Sequence, residues 1–447
     1  MTRDVVWRPG RGILHGAGGA CVLFLATTAA AWAGEALTLQ ECLTRALARN
    51  PALAEAELGP KGAEQAVISA QGKRWPRLTL DSGFTRREDP LPFVPAQALQ
   101  IPAHFSNAFG QYALTLSLPL YQGGQLVNGV ALAQVRREVQ EQAARQTKDE
   151  LIANVVNTYN KILQLGKLRE ASQASVTALE EQRRNIAQLL AVGRAARLDL
   201  LKVEVQLANE RQRLLTLDEG LRTLGSTLRY LMGEPPGGDE SMPTLSGSLG
   251  LPPVEGDFAT GLASAQAHRP EYLAAVKGVE ETELSRRVAV GKLLPTLSAY
   301  GGYLDQYGFN PGYKEANWFT GLTLTIPLFD RSLYADVARE RIQGERAGQH
   351  LRAVENQIGL DIRTALAALA ESRNRVTTAE AAVAQAEEAF RIEQQKYAIG
   401  AGVMADLLLA QAAAVTAVAN QTQALFDYNA AVVAYRKATG ALEGYLQ

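Results

Sequence analysis

The sequence predicts a mainly α-helical chain with a small β part, built twice over. Three observations predict this. Apolar residues recur at helical spacing over very long runs, two stretches alternate strictly, and the chain repeats itself at an offset of roughly 200 residues. The chain has 447 residues and a net charge of -1. That length permits two large units. The near-neutral balance lacks the basic footprint of a nucleic-acid binder, so no nucleic-acid partner is expected. Aromatics make up 6% of the residues, and Ala, Leu, Gln, Glu and Arg dominate the middle segments. Such a composition suits long helices packed side by side.

Residues 1–33 read as a secretory signal. Arg3, Arg8 and Arg11 give a basic start, "ACVLFLATTAAA" an apolar core, and Ala31-Trp32-Ala33 a cleavage point before Gly34. The competing reading, a membrane anchor, meets a run too short to span. Gly18-Gly19-Ala20 before Cys21 lacks the leucine of a lipidation signal, so no lipid anchor is expected. Cys42 is then alone in the mature chain. A lone thiol excludes a disulfide framework and a Cys-based zinc cluster, and reads as a small residue buried on a helix. Four His without HxxxH or HExxH spacing offer no metal site. No P-loop, GxSxG or GxGxxG after a strand is present, so neither a cofactor nor enzymatic activity is expected. No later stretch reaches the roughly 18 consecutive apolar residues of a membrane helix.

The duplication orders the rest. "ALARNPALAEAEL" (Ala46 to Leu58) aligns with "AQAHRPEYLAAVK" (Ala265 to Lys277), and "RWPRLTL" (Arg74 to Leu80) with "LLPTLSA" (Leu293 to Ala299). "AVGRAARLDLL" (Ala191 to Leu201) aligns with "AIGAGVMADLL" (Ala398 to Leu408). The first repeat is assigned to 34–236: a helix to Pro76, a β-hairpin over 77–120 and long helices over 121–233. A Pro/Gly/Ser-rich linker covers 237–256. The second repeat is assigned to 257–447: a helix to Pro295, a β-hairpin over 296–328 and long helices over 329–440.

Ile152, Val155, Tyr159 and Ile162 form one apolar stripe, and Leu179 and Ile186 continue a seven-residue period. Such a period makes helices supercoil around neighbours. The stretch from Gln122 to Val192 would be on the order of 100 Å long as one unbroken helix.

The strands alternate. Tyr112, Leu114, Leu116, Leu118 and Leu120 oppose Ala113, Thr115 and Ser117. Trp318, Leu322, Leu324, Ile326 and Leu328 oppose Gly321, Thr323 and Thr325, and Leu78, Leu80 and Phe84 oppose Thr79 and Asp81. Each strand therefore has one wet and one greasy face. Runs of about 9–11 residues suffice to cross a bilayer when tilted. Tyr112, Tyr121, Trp318 and Phe329 lie near the run ends, where membrane interfaces favour aromatics. A soluble sheet packed on the helices is the alternative. If the strands do span, four cannot close, because single-chain barrels start at about eight. Several copies must then share one barrel, with their helices forming a common wall below it. The segment Arg86 to Phe109 reads as a solvated loop outside the membrane.

These residues resemble the TolC family of outer-membrane efflux and secretion channels over nearly the whole mature chain. The resemblance rests on "LTLQECLTRALARNP", on "LSLPLYQGG" and "LTIPLFDRS" at the strand-to-helix junctions, and on "VGRAARLDLL" and "YAIGAGVMADLL" at the helix turns. It implies a homotrimer with a twelve-stranded barrel in outer-membrane lipid, a long α-helical barrel through the periplasm, and an equatorial belt formed by the linker. It implies a passive exit duct of a tripartite efflux pump or type I secretion system, partnered by a periplasmic adaptor (membrane fusion) protein and an inner-membrane transporter. A periplasmic coiled-coil scaffold or adhesin without a pore is the competing function. Pro119 and Pro327 are expected to end the strands, because the ring removes a ladder donor. Gly123 and Gly124 are expected to free the backbone where strand becomes helix.

At the far tip, Asp406 and Tyr397 match the family's periplasmic gate residues, and Asp199 matches the acidic residue of the first copy. A second carboxylate and a basic residue expected near Asp406 are Leu409 and Gly402 here. Arg194 and Arg197 supply positive charge on the first turn instead, and are expected to pair with the aspartates. The competing reading of both aspartates is helix capping.

Overall fold

The computed structural model describes residues 36–92, 105–235, 244–254, 256–309 and 312–446. The expected signal segment and its cleavage point lie outside the described residues, as do residues 237–243 of the linker.

Each half begins with two helices, not the single one expected. In the first half these are α1 (Leu39–Arg49) and α2 (Pro51–Gly72). Asn50 ends one and starts the other. Its backbone is extended (φ -67°, ψ 121°), and its side-chain oxygen accepts from the N–H groups of Ala52 and Leu53 at 3.0 and 3.2 Å. Pro51 disfavours a helical conformation at the residue before it, which is why the helix breaks there. The second half repeats the break at Arg269-Pro270, between α5 (Phe258–His268) and α6 (Pro270–Gly291).

The four long helices are α3 (Gln125–Ala191), α4 (Arg197–Leu231), α7 (Arg331–Ala398) and α8 (Met404–Thr439). α3 and α7 have 67 and 68 residues, on the order of 100 Å each. α3 packs on α4, and α7 on α8. The stripe Ile152, Val155, Tyr159 and Ile162 is buried, and so are Leu179 and Ile186.

The first half's core gathers Leu43 and Ala46 of α1, Ile152 and Val155 of α3, and Leu228 of α4. Cys42 lies within it, and burial pushes its thiol up to about 11. Leu442 of a C-terminal 3-10 turn (Leu442–Tyr445) closes this core. The linker over 244–254 touches both halves. The Tyr159 hydroxyl on α3 donates to the Ser246 carbonyl. On α8, the Tyr428 hydroxyl donates to the Pro252 carbonyl at 2.7 Å, and the Asn429 amide to the Gly250 carbonyl at 2.9 Å.

The strands β1 (Arg77–Pro92), β2 (Phe105–Gln122), β3 (Thr296–Phe309) and β4 (Gly312–Thr325) form one antiparallel sheet in sequence order. The central β2–β3 pair joins the two halves. β1 and β2 run further into the segment read as a loop, with a register shift between Arg86 and Leu91. Pro119 does not end its strand. β2 absorbs it with an irregularity: Pro119 pairs with Ser298 and Tyr121 with Leu297, so Leu120 drops out of the ladder. An extra residue of this kind accommodates the missing N–H of proline. It also removes Leu120 from the alternating face and puts Tyr121 there. In the second half β4 stops at Thr325, two residues before Pro327. The Asp330 side chain then caps α7 by accepting from the Ser332 N–H at 2.9 Å.

Gly123 and Gly124 have φ of +58° and +79°, values that favour glycine. A Cβ at Gly123 would fall 2.2 Å from the Gly291 carbonyl oxygen at the end of α6. The entry to α3 and the exit of α6 thus meet backbone to backbone.

Cross-strand pairing separates the faces. Leu78 pairs with Leu116, Leu80 with Leu114, Tyr303 with Trp318, and Leu297 with Leu324. Leu78, Leu80, Leu116, Trp318 and Leu324 are all exposed. The other face carries Thr79, Thr115, Ser117, Thr323 and Thr325. A soluble sheet would bury its greasy face against the helices, and this one leaves it bare. Among the described residues, the outer edges of β1 and β4 have no partner.

Leu116→Arg and Leu324→Arg are expected to lower outer-membrane assembly more than Thr115→Arg and Thr323→Arg. Arginine at mid-depth on a lipid face costs about 2–4 kcal/mol. The yield of assembled protein in outer-membrane fractions measures this, and equal yields would mean that the faces, or the membrane, are wrongly assigned.

A second expectation concerns Asp149 on α3. Burial, then the charges of Glu271 and Glu443, push its carboxyl up to about 6. Its protonated form is favoured in the folded state, so its contribution is fully present below about pH 4 and is lost as pH rises through about 6. Asp149→Asn should therefore stabilise the protein at pH 8, by about 1 kcal/mol after allowing for partial exposure, and not at pH 4. Thermal unfolding at the two pH values checks the sign.

Candidate functional site: the helix-turn tip

The turns that join α3 to α4 and α7 to α8 are built alike. Gly193 and Gly400 adopt φ of +70° and +78°. The left-handed residue lets the chain fold back onto the end of the long helix. Arg194 N–H then reaches the Leu189 carbonyl at 2.7 Å, and Ala401 N–H the Lys396 carbonyl at 2.9 Å. In the second turn Gly402 N–H also reaches the Lys396 carbonyl, at 3.0 Å. A Cβ on Gly402 would lie 2.9 Å from the Tyr397 nitrogen. The tightness of this turn leaves little room for the basic side chain that the family resemblance places there.

α4 and α8 begin without side-chain caps, since Ala196 and Val403 hold the N-cap positions. Asp199 and Asp406 lie three residues further on, in the first turn of each helix. Their backbone N–H groups bond the Ala196 and Val403 carbonyls, at 3.1 Å in both cases. Neither carboxylate caps its helix. What remains of the capping reading is the milder attraction between a first-turn carboxylate and the helix dipole.

The expected pairing of arginine with aspartate is not made among the described residues. Among the described residues Arg194, Arg197, Asp199 and Asp406 form no ion pair with one another. Arg194, Arg197 and Asp406 are exposed, and Asp199 is half-buried. Tyr397 is half-buried too. Burial, and then the charge of Asp199, push its phenol above the usual range. Tyr397 and Phe390 of α7 line a cleft of about 390 Å³ together with Gln182 and Ile186 of α3 and Leu407 of α8.

The tip has its own core, which sequence reasoning missed. Val176, Leu179 and Ile186 of α3, Val203 and Leu207 of α4, and Met404 and Leu407 of α8 are buried together. Met404 is 1% exposed, and its sulfur accepts from the Gln182 side-chain amide at 3.1 Å. The signal was present in the spacing of Met404, Leu407 and Gln411, three and four residues apart. Leu409 points away from this core and is 71% exposed, and Leu198, Ile399 and Val403 are exposed beside the turns.

A bare-faced β-sheet above two helical hairpins, on the order of 100 Å long, defines a protomer of a membrane channel with a long helical stem. The family model for outer membrane efflux proteins matches residues 42–234 and 261–441, and the chain belongs to that family. It is an outer-membrane efflux channel protein that extends into the periplasm. It is similar to outer membrane efflux protein BepC of Brucella suis biovar 1 (strain 1330), at 24% identity over 95% of this chain and 90% of that protein. Its fold is similar to that of the outer membrane protein VceC from Vibrio cholerae, with TM-score 0.76, 18% identity and coverage of 90% of this chain and 96% of the other. It is also similar to the CmeC outer membrane channel of Campylobacter jejuni, with TM-score 0.79, 17% identity and coverage of 90% and 85%.

Met404→Ala is expected to destabilise the tip by about 2–5 kcal/mol, the usual loss for a buried large-to-small change. Leu409→Ala should stay within about 0.5 kcal/mol within a protomer. Limited proteolysis at the two turns, followed across temperature, would separate them.

Proposed function

We propose that three copies close one barrel and act as the passive exit duct of a tripartite assembly, with a periplasmic adaptor and an inner-membrane transporter as partners. Three copies of four strands give a twelve-stranded barrel. The observation that carries this reading is the open four-stranded sheet with its bare apolar face. Alone, such a sheet exposes two unpaired edges that hydrocarbon does not tolerate. A scaffold or adhesin would have no use for that face. Small-molecule efflux and type I polypeptide secretion both fit a duct of this build.

The gate is proposed at the tip. Three copies of Asp406 and three of Asp199 would lie near the common axis, with Tyr397 packed behind Asp199. Carboxylates brought together hold cations between them. Arg194 and Arg197, which form no ion pair among the described residues, are available to aspartates of a neighbouring copy. Each such exposed pair is worth at most about 1 kcal/mol. Pro119, Gly123, Gly124 and Pro327 are proposed as the elbow that turns barrel strand into stem helix.

Single-channel recording tests the gate. Asp406→Asn and Asp406→Ser should reduce cation preference and weaken block by trivalent cations, while thermal stability changes little. Arg197→Ala should raise conductance. An unchanged cation preference in both Asp406 variants would rule out the proposed ring. The absence of any heat-modifiable oligomer in outer-membrane fractions would rule out the duct itself.

A further inference from the structure

The water-facing side of the sheet carries one feature that its polarity does not explain. Tyr300 and Phe319 belong to the face of Thr115, Ser117 and Thr323, as the register shows. Tyr300 is opposite Gly321 and Ser117, and Phe319 is opposite Gly302, which in turn faces Thr115. Their ring centroids are 6.2 Å apart with planes tilted by 48°. Each ring lies down across the strand pair. A Cβ on Gly321 would fall 2.6 Å from the Tyr300 ring, and one on Gly302 would fall 2.7 Å from the Phe319 ring. The two glycines thus make the floor on which the two rings rest.

Covering a strand glycine with an aromatic ring supports a sheet, and Tyr307 does the same over Gly110 on the apolar face. On the apolar face lipid meets the ring's other side. On the polar face water does, which leaves an aromatic surface open to a stacking partner. Tyr300 remains 39% exposed. Tyr300 is four residues above the start of β3 and Phe319 is level with Gly302. At about 3.3 Å per residue and a tilt of about 40°, the tile lies roughly 10–15 Å above the stem, well inside the barrel.

We propose that the Tyr300–Phe319 tile is a contact site for planar aromatic small molecules passing through the barrel. The inference rests on the channel reading and adds a cargo class to it. Stacking on an aromatic face tolerates many ring systems, because the attraction comes from the π-face and from displaced water and needs no matched hydrogen bond. Repeated once per copy, the tile would retard aromatic ring systems in passage and leave small ions unaffected.

The test uses the full-length protein in planar bilayers, with a planar aromatic cation such as ethidium as probe. Potassium chloride conductance is recorded alongside. Phe319→Leu keeps the glycine covered and removes one ring. Tyr300→Ser together with Phe319→Ser removes both. The proposal expects block events by the probe to shorten roughly two- to tenfold in Phe319→Leu, the range that loss of one aromatic contact gives. Potassium chloride conductance should stay within the spread of the parent. Trp318→Leu, on the lipid side of the same strand, should leave block duration unchanged. Unchanged block duration in a conducting Phe319→Leu channel overturns the proposal, as does equal shortening in Trp318→Leu. A parent protein with no conductance would instead refute the channel reading.

Discussion

Lipid offers no hydrogen bonds, and that single constraint governs this chain. The free N–H and C=O groups along the outer edges of β1 and β4 must find partners inside the membrane. A chain with four strands cannot supply them to itself. Everything below the sheet follows from the need for copies to meet. Copies joined edge to edge in a barrel bring their stems together around one axis. Two long hairpins per copy then share in one wall. The duplication fits this arrangement, because each half delivers one strand pair and one helical hairpin.

The stem is held by ordinary packing. Its interior is Leu, Ile, Val and Ala at heptad-like spacing, with separate buried clusters along its length. The joint between the two regimes is stricter. At Gly123 and Gly291 two backbones touch, with no side chain between them. The second half has no glycine pair there and uses the Asp330 cap on α7 instead. Equivalent positions in the duplicated halves therefore solve the same turn by different chemistry.

Much of this was legible in the sequence because it depends on period. A spacing of three and four gave the long helices, and a spacing of two gave the faces, including the exposed Leu116 and Leu324. What was missed depends on single residues acting against their surroundings. Pro51 breaks a helix by acting on Asn50, although residues on both sides read as one helical run. Pro119 looked like a strand end, yet the ladder continues past it because Leu120 is left out. Asp199 and Asp406 looked like caps because they precede Leu-Leu. The true cap positions fell on Ala196 and Val403, which have no side chain able to accept. The tip core escaped notice because Met404 meets α3 and α4 of the other half, a contact between halves that no local pattern encodes.

The linker crossing marks a fixed level on the stem. Tyr159, Tyr428 and Asn429 tie the segment 244–254 to α3 and α8 at one level. Below that level the two hairpins are joined again in the tip core and form one arm. From Tyr159 to Ala191, the end of α3, the arm is about 50 Å at the helical rise. A rotation of about 5° at the strap would carry the tip through roughly 4 Å by simple geometry. Small displacements at the strap would thus be magnified into larger ones at the tip.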